Sequence, residues 1–174
     1  MKFSRALPSW FTLGVSILAG CQRTPQLERV VEAQSARDFA AWQRDNRDAF
    51  RSDEWAEFEL VQQDIKVKII AFKAATGADA VNDALRVKIH GLTVRQVFQQ
   101  GYEARVWRLG VERTELEKMV KGNATLRTNP GDTASSDYLE RKRQQQEDRL
   151  KKVGEEIRAV EKKLQALLGP AVGR

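Results

Sequence analysis

Residues 92–122 read LTVRQVFQQGYEARVWRLGVERTELEKMVKG. Thr93 and Gln96 have the spacing of a capping box, in which each side chain satisfies the other residue's backbone N–H. Leu92 and Val97 stand at the positions of a hydrophobic staple. Val94, Phe98, Tyr102, Val106, Leu109, Leu116 and Val120 then fall on one face of a helix that stops near Lys121, with Gly122 as its end signal. Gly101 and Gly110 each cost about 1 kcal/mol against Ala inside a helix. They are expected to mark close approach of a neighbouring helix.

The next long stretch has the same character. Asp137 and Glu140 offer a capping box, and a helix is expected from there to Leu168, ended by Gly169-Pro170. Leu150, Val153, Ile157, Val160, Leu164 and Leu167 alternate steps of three and four, a heptad seam. Carried backwards the seam turns polar, through Gln146 and Arg143 to Leu139. It can pack within the chain, against the helix before it or against residues 53–76, or pair between copies as a coiled coil. Packing within the chain is favoured, because only about three good heptads are present.

Upstream, Thr24-Pro25 suits a helix start, and a helix is expected over 26–51, with Ser35 to Asp38 as a place where it could restart. Ser52 is the expected N-cap of a helix over 53–76, with Gly77 as its stop. Asp79 is expected to cap a short helix ending at His90 and Gly91. Segments 65–69 and 85–89 also alternate, so a small hairpin is the alternative there. No proline interrupts 26–129. The expected architecture is all-α, with four to five helices in antiparallel hairpins and a long, heptad-patterned C-terminal helix. The organisation read from this is a leader (1–20), an N-terminal stretch usable as a tether (21–34), a helical domain (35–122), a loop (123–136) and the long helix (137–174).

Composition excludes more than it names. One cysteine cannot form an internal disulfide framework, and one histidine, His90, cannot build a His-based metal cage. His90 reads as a helix-end or surface residue. There is no phosphate-binding Gly-rich loop, no Gly-x-Ser-x-Gly and no His-Glu-x-x-His. The net charge is +6, but basic and acidic residues are interspersed along the last helix. That pattern suits a solvated surface, or attraction to anionic lipid headgroups, better than nucleic acid. Trp42 and Trp55 read as core. Trp107, off its helix's main stripe and flanked by Arg105 and Arg108, is a candidate contact residue. Arg127, Asn129 and Asp132 are the candidate contacts of the 123–136 loop, against a plain linker.

The first twenty residues differ from the rest. Lys2 and Arg5 precede an uncharged run from Ala6 to Gly20, too short for a spanning helix and right for an export signal. It ends Leu18-Ala19-Gly20-Cys21, which resembles the lipobox of bacterial lipoproteins. The resemblance implies cleavage before Cys21, a diacylglyceryl thioether on its sulfur and an acyl chain on its amine. No other cofactor is expected. Without Lys2 and Arg5, the +6 of the whole chain becomes +4. Gln22, rather than Asp, in the sorting position implies the outer membrane facing the periplasm more than the inner membrane. The expected function is a non-enzymatic, lipid-anchored interaction or scaffold protein of the cell envelope. Its expected partners are membrane lipid, an envelope protein and a second copy of the chain. The alternatives are a structural coiled-coil oligomer, similar in layout to murein-type lipoproteins but without their terminal lysine, and an accessory subunit or carboxylate-based hydrolase.

Overall fold

The computed structural model describes residues 26–126 and 132–168. Five helices follow a single 3-10 turn at Gln26–Glu28: α1 (Ala36–Arg47), α2 (Ser52–Ala71), α3 (Ala78–Ile89), α4 (Val94–Ala124) and α5 (Thr133–Leu168). The described residues are all-α, and the alternating segments 65–69 and 85–89 are helical. Thr93 and Gln96 cap α4 reciprocally, at 3.2 and 2.8 Å.

The helix expected over 26–51 is broken. Residues 29–33 form no helix, because their backbone finds partners across the α3–α4 junction. The Val31 N–H donates to Leu92 O at 2.8 Å, Gly91 N–H to Val31 O at 3.0 Å, and Val94 N–H to Arg29 O at 2.8 Å. The Trp42 indole N–H donates to Val30 O at 2.8 Å. With Val31 fully buried, this strap is part of the packed domain, although 21–34 reads from sequence as a tether. The chain then restarts at Ser35, whose hydroxyl accepts from Asp38 N–H while the Asp38 carboxylate accepts from Ser35 N–H.

Three other boundaries move for local reasons. Arg51, not Ser52, holds the cap position of α2, and Glu54 accepts its N–H at 3.0 Å. The helix stops at Ala71, well before Gly77. Lys73 turns left-handed (φ 52°), Ala74 N–H reaches Ile69 O at 3.0 Å and Lys73 N–H reaches Ile70 O at 2.9 Å. That is a Schellman motif built without glycine. Gly77 (φ 88°) instead opens α3 from the cap position expected for Asp79. Finally, α4 runs on to Ala124 and α5 begins at Thr133, where the Asp132 carboxylate accepts from Ser135 N–H at 3.0 Å. The connection is therefore shorter than the expected loop, and Asp137 lies inside a helix rather than at its start.

The core is one cluster drawn from every element. Its centre is Phe58, with no exposure and ring centroids of Trp42, Phe50, Trp55 and Phe98 within 5.5–6.2 Å. Phe58 faces Phe98 and Val61 faces Gly101, so α2 and α4 run in the same direction with α3 returning the chain between them. At Gly101 an added Cβ would lie 2.2 Å from the Val61 Cβ, so the expected close approach is real there; at Gly110 it would meet nothing within 4 Å. On the other side α5 runs antiparallel to α4. Val153, Ile157 and Val160 of the heptad seam are buried, and Leu164 and Leu167 pack on the same core. The seam is thus used inside the chain.

Candidate functional site

Two surfaces stand out. The first is an open groove of about 630 Å³ at the end of the domain where the described chain begins. Leu27, Phe50, Phe98, Tyr102 and Leu167 supply its apolar lining, and Asp53, Glu54, Glu57, Arg95 and Lys163 its charges. These side chains come from the 3-10 turn, the start of α2, the start of α4 and the end of α5, which the core brings to one place.

The charges beside this groove are cross-linked. Lys163 Nζ and Arg105 each donate to Glu57 Oε1 at 3.0 Å. Arg105 Nε also donates to Asp64 at 2.5 Å, and Arg108 to the other Asp64 oxygen at 3.2 Å. The Tyr102 ring carries Arg105 and Lys163 at 5.7 and 5.6 Å from its centroid, a pair of cation–π contacts. Burial alone would push the Glu57 carboxyl upwards, but the Lys163 hydrogen bond and the nearby Arg105 and Lys163 charges outweigh it and hold Glu57 below the usual carboxylate range. Burial pushes the Tyr102 phenol well above its ordinary value, helped by the neighbouring Glu57 carboxylate. Arg95 bonds Glu28 at 2.7 Å and the Leu167 carbonyl at 2.8 Å, so it also caps the end of α5. Of the charges lining the groove, Glu57 and Lys163 pair with each other, Asp53 and Glu54 pair with Arg51, and Arg95 with Glu28.

The second surface is the far half of the α4–α5 hairpin. The α2–α4 register sets Ala71, the last residue of α2, level with Val111. Beyond that level α4 packs on α5. There Arg149 bonds Glu112 at 2.6 Å, and Asn123 donates to Gln146 at 2.7 Å. Arg143 donates to the Asn123 carbonyl at 2.7 Å and to the Leu126 carbonyl at 3.0 Å. The polar half of the heptad seam is therefore a cap for the end of α4. Val111, Met119, Leu126 and Tyr138 are exposed on this hairpin.

The residues singled out from sequence separate. Trp42 and Trp55 are core. Trp107 is half-buried against the exposed Phe72 at 5.2 Å, near the end of α2. Asp132 lies at the far tip, where hydrogen bonds from Ser135 lower its pKa; it shares no surface with Trp107. Arg127, Asn129 and the Leu18-Ala19-Gly20-Cys21 motif lie outside the described residues. His90 is exposed and accepts from Ala33 N–H through Nδ1 at 3.2 Å, which ties down the strap. Sequence reading missed the Glu57–Asp64–Arg105–Lys163 network. Its one signal was Asp64, a carboxylate wedged between Val61 and Ile65 on the buried face of α2.

Among the described residues no three His, Cys, Asp or Glu side chains assemble as metal ligands, and no helix is long and apolar enough to cross a membrane. No protein family, curated protein or solved structure matches the chain.

Proposed function

We propose that this chain is a non-enzymatic interaction module of the bacterial cell envelope, tethered through lipid on Cys21. The observation that carries this is positional. The only cysteine follows Leu18-Ala19-Gly20 at the end of an uncharged run, and the first described element, the 3-10 turn Gln26–Glu28, lies five residues on. Buried acyl chains contribute about 0.8 kcal/mol per CH₂, and two or more hold a protein stably on a bilayer. Five extended residues span at most about 18 Å, so the domain sits close to the surface. The groove beside Gln26 and Leu27 then opens near the membrane, where an envelope partner can be met. Gln22 directs the protein to the outer membrane.

Palmitate labelling in cells tests the anchor. Wild type is expected to take up label and Cys21→Ala to remain an unlabelled precursor; label retained by Cys21→Ala overturns the reading. Gln22→Asp is expected to move the protein into inner-membrane fractions on a density gradient.

A further inference from the structure

We propose that the tip where α2 ends and the chain turns towards α3 is a wedge that enters the surface of an anionic lipid bilayer. It gives the domain a contact with lipid of its own, and it stands or falls apart from any acyl chain on Cys21.

Ile70, Ala71, Phe72, Lys73 and Ala74 are consecutive and all exposed, and four of the five are apolar. Ile70 and Phe72 are 56% and 63% exposed. The Phe72 ring lies 5.2 Å from that of the half-buried Trp107. Val111, one turn further along α4 and level with Ala71, is exposed as well. An exposed apolar run of this kind marks a contact with something outside the chain. Closing α2 does not require it. The Schellman turn is made by the N–H groups of Lys73 and Ala74, and the apolar pair that such a motif favours is Ala74 with Ile69, not Ile70 or Phe72.

The charge around this run has one sign. Between Asp64 and Asp79 the chain has Lys66, Lys68 and Lys73 and no acid. None of the three lysines has an ion-pair partner among the described residues. Asp64 is buried and held by Arg105 and Arg108 of α4, which leaves Asp79, in the first turn of α3, as the exposed acid of this stretch. Lys66 and Lys68 stand about 200° apart around α2, so the cations ring the helix end instead of lining one face. A ring of free cations about an apolar tip suits a surface met end-on. The apolar side chains leave water at the boundary between headgroups and acyl chains, where aromatic rings such as Phe72 and Trp107 are favoured. Each lysine held near anionic headgroups strengthens binding about fivefold. A protein partner fits less well, because it would need a recess shaped to Phe72 and acids placed on both sides of α2.

The test uses the full chain with Cys21→Ala, which carries no acyl chain, and one new cysteine bearing an environment-sensitive nitrobenzoxadiazole label. The label sits at Ala71→Cys or, for comparison, at Val87→Cys, an 81% exposed position of α3. The vesicles are phosphatidylcholine, alone or with one third phosphatidylglycerol. At position 71 the emission is expected to shift to the blue, and to be quenched by doxyl-labelled lipid, on the phosphatidylglycerol vesicles; at position 87 it should stay as in water. Phe72→Ser, and the triple variant Lys66→Gln, Lys68→Gln and Lys73→Asn, should each raise the lipid needed for half of the shift at least about tenfold. Asn suits the left-handed position of Lys73, and the thermal melts should match wild type, because the lysines are unpaired and Phe72 is mostly exposed. No shift at 71, an equal shift on phosphatidylcholine alone or at 87, or a shift indifferent to both variants overturns the proposal. So does lipid-independent self-association of the chain that Phe72→Ser abolishes, which would assign the tip to a second copy. Failure of palmitate labelling in wild type with the shift at 71 intact would remove the anchor and leave the wedge standing.

Discussion

Gly101 and Gly110 look alike in sequence, both in the interior of α4, and the structure gives them opposite meanings. A methyl group on Gly101 would run into Val61, so Gly101→Ala must push α2 away from α4; a loss of about 1–3 kcal/mol is expected in urea unfolding. Gly110 touches nothing, so Gly110→Ala should gain about 0.5–1 kcal/mol. Glu57 makes a second distinction at this scale. Its pKa is lowered in the folded state by Lys163 and Arg105 against the pull of burial. A lowered carboxyl contributes stability above its unfolded pKa and loses it as pH falls through the folded value. Unfolding measured at a series of pH values should therefore show wild-type stability falling through and below the usual glutamate range. Glu57→Gln should fall less over the same window. A pH dependence identical in the two proteins would show that Glu57 does not supply this term.

Element boundaries were legible where the signal was carried by neighbouring residues. Thr93 and Gln96 cap α4 as their spacing implies, because both partners of the box lie within one turn. Gly77 misled because a Schellman turn at Lys73 had already closed α2, and a lysine in the left-handed region carries no advance signal. The heptad seam shows a subtler division. Its apolar half packs into the core, while its polar half, Arg143 and Gln146, secures the end of α4 from the neighbouring helix. Arg143→Ala should cost about 1.5–3 kcal/mol, the range for hydrogen bonds to a charged group. Amide exchange should rise first in the last turn of α4, at Lys121 to Ala124. Uniform exchange across the hairpin would mean that Arg143 does not act as a cap.

In the molecule as a whole, a short non-helical strap decides how the helices close. Residues 29–33 lie across the α3–α4 junction, bonded to Gly91, Leu92 and Val94, and bury Val31 and Ala33. A chain begun at Ser35 loses that burial and orphans the same backbone groups. Its thermal melt should drop, with a stability loss of at least about 3 kcal/mol; an unchanged melt would make the strap dispensable. The all-α class, the start of α4 and the buried stripe of α5 could be read from the residues alone, because periodicity and caps are local and need no partner. The export-signal pattern is equally local, and its reading stays a matter for the labelling experiment. Tertiary structure alone decided the rest. It placed the strap, because non-helical backbone is stable there only where distant donors and acceptors meet it. It drew Glu57, Asp64, Arg105 and Lys163 together from three helices. And it set where α2 ends beside the longer hairpin, because the register of two helices follows from Val61 against Gly101, a contact across forty positions of the chain.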